Sequence, residues 1–176
     1  MAIARSARPK PAVIVVMGVA SSGKTSLGER LAGQLGWPFR DADSFHPPQN
    51  VAKMAGGTPL NDDDRKPWLA AIAAWIDDLR GSGRNGIVTC SALKRAYRSV
   101  IIGDRPDVAL VYLKGSRALI GERMASRQHH FMPTALLDSQ FATLEEPGED
   151  ESPLVVSVES SKEAIVADVM ARLGLD

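Results

Sequence analysis

One cysteine, three histidines and no net charge, with 21 lysines and arginines against 21 aspartates and glutamates, set the first limits on this 176-residue sequence. The lone Cys90 excludes an internal disulfide and suits a reducing compartment. Within the apolar run GIVTCSA it reads as a small buried hydrophobe rather than a reactive thiol. Histidines so few and scattered build no metal cluster. Balanced charge leaves no broad field for nucleic acid or an anionic membrane surface. No apolar stretch approaches the ~20 residues needed to cross a bilayer, since the run from Ala12 stops at Gly18. The expectation is a soluble, cytoplasmic protein with no nucleic-acid or membrane partner. The leader MAIARSARPKP carries three cations without acids, but its prolines and lack of an apolar segment argue against a secretion signal. Residues 1–11 read as a frayed tail, and 12–176 as one domain.

Apolar, β-rich runs stand at Val13 to Met17, Gly86 to Cys90, Val108 to Leu113 and Leu154 to Val158, with a weaker one in WPFRDA ending near Asp41. Continuous rather than alternating runs suit a parallel sheet covered on both faces. Between them, helical periodicity predicts helices over Thr25 to Leu35, along the Trp68, Ile72, Trp75, Ile76, Leu79 stripe, over Lys94 to Ile102 and over Arg117 to Arg127. A further helix is expected to start at Pro133 and end before Pro147. A last one runs from a Ser160/Glu163 capping box to Leu173. The alternation gives a three-layer α/β/α domain.

GVASSGKT, Gly18 to Thr25, fits G-x-x-x-x-G-K-[ST] in the required context of strand before and helix after. The backbone of Gly18, Val19, Ala20, Ser21, Ser22, Gly23, Lys24, Thr25 and Ser26 would wrap a triphosphate, with N–H groups and a helix N-terminus turned toward it. Lys24 can reach the β- and γ-phosphates. Thr25 offers a hydroxyl to Mg2+. A GTPase switch is disfavoured: the sole Asp-x-x-Gly is DLRG at the end of a predicted helix, and Asn-Lys-x-Asp is absent.

In an open parallel sheet, ligands gather beyond the carboxyl ends of the strands, so Asp41 and Asp43 in DADSFHPPQN should share the crevice of the phosphate loop. They could serve the Mg2+ shell and an acceptor hydroxyl, or cap the following turn. His46 can hydrogen-bond substrate or shape that turn. Asp62 to Asp64 read as acids at a helix N-terminus. Arg65 suits a carboxylate or phosphate. Lys94 follows CSA at a strand end, whereas Arg95 and Arg98 read as solvated helix charge. Arg123 and Arg127 share a helix face ahead of QHHFMP, consistent either with a lid near residues 117–133 closing over the triphosphate or with an exposed face laced with Glu122.

The blocks MGVASSGKT, DADSFHPPQNVAKMAGGTPLNDDDRKPWL, CSALKRAYR and RQHHFMPTALLDSQFATLEEP together resemble the gluconate kinase (gluconokinase) family. The resemblance implies transfer of the ATP γ-phosphoryl group to the 6-hydroxyl of D-gluconate, a five-stranded parallel sheet, a flexible lid and frequently a homodimer. It also implies Gly18 to Ser26 as the triphosphate loop, with Lys24, Asp43 and Arg127 as catalytic residues. Asp43 would be base or hydroxyl anchor, Arg123 and Arg127 the lid arginines, and His46, Arg65 and Lys94 candidates for the sugar acid. Two positions depart from the family pattern: Ala42 stands where Asp-Gly-Asp is common, and Ser21 where glycine is common. A kinase for another acceptor, such as shikimate or a different aldonate, and a nucleotide-binding regulator are the competing readings.

Overall fold

The structure, a computed structural model, describes residues 10–126 and 134–176. Five parallel strands, β1 (Val13–Met17), β2 (Phe39–Asp41), β3 (Gly86–Thr89), β4 (Val108–Lys114) and β5 (Leu154–Ser157), form one sheet in the order β2-β3-β1-β4-β5. The central strand β1 is inaccessible along its whole length because it is apolar on both faces. Ile14 and Val16 point into one core with helices α1 (Lys24–Leu35), α5 (Arg117–Ser126), α6 (Thr134–Thr143) and α7 (Lys162–Arg172). Val13, Val15 and Met17 point into the other, under α3 (Asp62–Gly81) and α4 (Arg95–Ile101). The edge strand β5 instead alternates, burying Leu154 and Val156 while Val155 faces water. This is the expected three-layer fold with a five-stranded parallel sheet.

Several element expectations are corrected. Residues Pro48–Ala55 form a helix, α2, that the hydrophobic pattern did not announce: its one buried residue is the polar Asn50. The final helix is capped by Ser161, whose hydroxyl accepts from the Ala164 N–H at 3.1 Å, and not by a Ser160/Glu163 box. Shifting the cap by one residue places Ser161 three residues before the N–H it satisfies. The Asp62 to Asp64 acids do begin α3, where Asn61 and Asp64 form a reciprocal capping box. The leader expectation for residues 1–11 falls mainly outside the described residues. So do Arg127, Pro133 and the part of the 117–133 segment beyond Ser126.

Candidate active site

Two helix N-termini near the sheet's C-terminal edge are treated in opposite ways by the sequence. Helix α3 has a side-chain cap, Asn61, which accepts the Asp64 N–H, and three acids in its first turn, which oppose its positive end. Helix α1 has neither. Its N-cap is Gly23, at φ 98°, with no capping side chain and no acid in the first turn. The orphan amides of α1 are therefore left for an external anion. Gly18 begins the loop where space permits no side chain, since a Cβ there would lie 2.5 Å from Ser22 Oγ and 3.2 Å from the Leu113 carbonyl oxygen.

Lys24 folds back over this loop, donating from Nζ to the carbonyls of Gly18 at 3.0 Å and Val19 at 2.9 Å. Burial lowers its pKa, and Cys90, Asp41 and Asp43 oppose that shift. Ser21 adopts φ 62°, in the left-handed region. The glycine common at this position in the resembling family is thus explained by backbone geometry, and serine holds it at a cost of order 1 kcal/mol. Ala42, the other departure, sits in a 3-10 turn without positive φ, so no glycine is required there. The Thr25 side chain is exposed in the first turn of α1.

Beyond β2, Asp41 and Asp43 separate in role. Asp41 accepts the Asp43 N–H at 2.9 Å, the turn-capping alternative, through one carboxylate oxygen. The Asp43 residue is exposed. Desolvation by the surrounding wall, then repulsion from Asp41, raise its pKa above the ordinary aspartate value; His46 and Lys24 oppose the rise. His46 stacks on Trp68 with ring centroids 4.5 Å apart and an angle of 10°. Its Nδ1 lies 3.4 Å from Asn50 Nδ2. Burial, and secondarily Arg65, lower its pKa against the pull of Asp43. Trp68 is fixed in turn by its Nε1–H, which donates to the Ala42 carbonyl at 2.7 Å. The tryptophan read from the sequence as core is core and also the floor under His46.

Arg65 and Lys94, far apart in the chain, meet around Asp62. Its carboxylate accepts from Tyr97 Oη at 2.6 Å and from Lys94 Nζ at 3.3 Å, with Arg65 at 3.6 Å. The Tyr97 hydrogen bond, then Lys94, hold the Asp62 pKa below its usual range. Sequence reasoning took Asp62 only as a helix acid and passed over Tyr97. Their pairing spans 35 positions and leaves no local signal.

A cleft of about 270 Å³ opens beside the phosphate loop, lined in part by Ser21, Gly23, Ser26 and Arg123 and, across from them, by Ser160 to Lys162 at the start of α7. Arg123 donates to the Val158 carbonyl at 2.5 Å on its rim. Its expected helix partner Arg127 lies outside the described residues. Ser160, read from the sequence as the helix cap, and Ser161, which is the cap, thus also wall this cleft. Cys90 is buried and its thiol pKa pushed up to about 12 by burial, as an inert core residue requires. Arg98 is not solvated helix charge: it is 2 % exposed and paired with Glu151. The carbonyls of Ala92 and Leu93 face its guanidinium and draw it inward.

An anion cradle and, along the same strand ends, an acidic side chain followed by paired cations are the requirements of a phosphate-loop kinase for small anionic alcohols; that is the class this fold and site define. Comparison with known proteins narrows it. The shikimate kinase family model matches residues 20–173. The chain is 44% identical over 161 residues to a gluconokinase of Gluconobacter oxydans, covering 92% of this chain and 90% of that protein. It is 42% identical over 159 residues to the thermoresistant gluconokinase of Escherichia coli, covering 90% and 91%. A crystal structure of a gluconokinase from Sinorhizobium meliloti superposes with a TM-score of 0.83 at 44% identity, covering 95% of this chain and 94% of that one. The chain belongs to the gluconokinase family, within the shikimate-kinase type of ATP-dependent kinases.

Proposed function

We propose that this chain is the kinase that moves the γ-phosphoryl group of ATP to the 6-hydroxyl of D-gluconate. One arrangement carries the reading: Asp43 and His46 follow β2, His46 stacks on Trp68 of α3, and Arg65 of the same helix joins Lys94 and Tyr97 around Asp62. An aldonate laid along it has its carboxylate at the cations, its hydroxyls beside His46 and its terminal hydroxyl beside Asp43. In this reading Gly18 to Ser26 grip the triphosphate, and the 270 Å³ cleft with Ser160 to Lys162 takes the nucleoside. Arg123, joined by Arg127, neutralises charge from the 117–133 segment.

The donor set suits Mg2+. Among the described residues there is no group of three or more His, Cys, Asp or Glu side chains that could hold a metal. Magnesium characteristically takes one or two protein oxygens and completes its shell with phosphates and water. The exposed Thr25 hydroxyl and the carboxylate oxygen of Asp41 that does not accept the Asp43 N–H fit that habit. When bound, the ion supplies charge neutralisation between the β- and γ-phosphates. The protein's own part is positioning: Asp43 accepts the hydrogen bond of the acceptor alcohol and takes its proton as the new oxygen–phosphorus bond forms and the bond from the γ-phosphorus to the bridging oxygen breaks, releasing ADP. A homodimer and a cytoplasmic location belong to the same proposal. No helix among the described residues is long and apolar enough to cross a membrane.

The direct test is ADP release with gluconate, shikimate, a mononucleotide and other aldonates as acceptors. Gluconate is expected to stimulate release strongly, with 6-phosphogluconate as product. Absence of turnover with every aldonate would remove the assignment, and tight nucleotide binding without acceptor-stimulated release would favour the regulator. Two variants sharpen it. Arg65→Met is expected to raise KM for gluconate about tenfold while KM for ATP stays within twofold, because it deletes one charge-assisted contact to the carboxylate. Asp43→Asn is expected to lower kcat about a hundredfold at nearly unchanged ATP affinity. Wild-type turnover in that variant would take Asp43 out of the chemistry.

A further inference from the structure

Helix α6 reaches the phosphate loop through one side chain. Gln140 accepts the Ala20 N–H through Oε1 at 2.6 Å, across 120 positions of sequence. A backbone N–H can only donate, so the carbonyl end of the carboxamide must face Ala20 and the amino end must face away from it. That amino group has no hydrogen-bond partner among the described residues. The position is half-buried, and α6 is anchored there by the fully buried Leu137. Arg117 of α5 pairs with Asp138, two residues before Gln140.

The choice of residue is informative. If the only task at position 140 were to accept an N–H, glutamate would do it better, because a charged acceptor makes the stronger hydrogen bond. Glutamate would also place a negative charge against an anion cradle. Glutamine accepts from the loop without that charge and, on the same rigid plane, carries two donors. Ala20 lies on the strand side of the loop, three residues before the Gly23 cap of α1. Gln140 therefore meets the loop on its strand side rather than over the helix.

We propose that Gln140 is a phosphate-contacting residue of this site: its carbonyl braces the loop at Ala20, and its amino group donates to an oxygen of the terminal phosphoryl group of the bound triphosphate. This rests on the reading of Gly18 to Ser26 as the triphosphate cradle. Stabilisation of that phosphoryl group by a fixed, neutral donor adds to transition-state binding without competing with the cations.

The experiment measures binding of ADP and of the β,γ-imido analogue of ATP to the full chain by calorimetry, with Mg2+ and without acceptor, followed by kcat with gluconate. Gln140→Met removes donor and acceptor without charge; Gln140→Glu keeps the acceptor, loses the donor and adds charge. The preference for analogue over ADP is expected to fall about tenfold in Gln140→Met and further in Gln140→Glu. The unliganded melting temperature of Gln140→Glu should stay near wild type, because the Ala20 bond survives. A parallel weakening of both nucleotides in Gln140→Met, or an unchanged preference, would overturn the proposal by reducing Gln140 to a brace for the loop. If Gln140→Met fails to fold, the preference in Gln140→Glu decides alone: unchanged, it overturns the contact. Because the binding ratio needs no acceptor, it reads out even if gluconate proves not to be the substrate.

Discussion

Lys24→Ala is expected to reduce phosphoryl transfer at least a thousandfold, the largest kinetic effect of any single change considered. The ammonium group is held by two carbonyls of its own loop, Gly18 and Val19, at 3.0 and 2.9 Å. Those contacts place a cation where the loop's amides converge. Burial lowers the lysine's pKa, so part of the hydration of its charge is replaced by the loop. In such surroundings a charge acts on a migrating phosphoryl group far more strongly than it would in solvent. An arginine finger brought to the migrating phosphoryl group contributes roughly 10³–10⁵ in rate, and a fixed lysine acts on the same charge. The variant should also bind ATP more weakly. Lys24→Arg retains charge but not the compact point geometry, and should recover only part of the rate. Single-turnover conversion of ATP in the presence of saturating gluconate measures the step itself. A rate within tenfold of wild type would show that the loop's amides alone carry the triphosphate.

What the sequence disclosed, and what it concealed, follows the range of the interactions. The phosphate loop was legible because its glycines, lysine and threonine are contiguous and flanked by a wholly apolar strand and a helix. The capping acids of α3 were legible for the same reason. Helix α2 was not: it is eight residues long, its apolar Val51 and Met54 face water, and its buried contact is Asn50, which donates to the Asp64 carbonyl at 2.8 Å. Arg65 and Lys94 could each be suspected singly, but the Asp62 carboxylate and Tyr97 hydroxyl that bring them together join α3 to the start of α4. Gln140 and Ala20 make a further case, a single hydrogen bond across most of the chain. Arg98 was misread because a charged residue on a short helix usually faces water. Nothing local announces that Glu151 will come to meet it.

That pair gives the largest stability prediction. Arg98 donates from Nε to Glu151 Oε1 at 2.7 Å and from a terminal nitrogen to Oε2 at 3.1 Å, while its other terminal nitrogen donates to the Ala92 carbonyl at 2.8 Å. Glu151 also accepts the Gly148 N–H at 3.0 Å. Removing one partner leaves a buried charge without its complement, which costs about 3–5 kcal/mol. Arg98→Met and Glu151→Gln are each expected to fall in that range in urea melts at neutral pH. The double variant Arg98→Met/Glu151→Leu should recover most of the loss, since a well-packed apolar pair is often no worse than a buried ion pair. The hydrogen bond from Arg98 holds the Glu151 pKa below its ordinary value of 4.5. The stability it contributes is therefore complete above that value and disappears as pH falls through the lower, folded-state value. Glu151→Gln should accordingly flatten the acid limb of the stability profile. The same variants should disturb the substrate side, because Ala92, at φ 46°, is a strained residue two positions before Lys94 and its carbonyl is tied by Arg98. A rise in KM for gluconate at unchanged KM for ATP would mark that link. Single variants within 1 kcal/mol of wild type would mean that water reaches the pair and the burial seen at Arg98 is not maintained in solution.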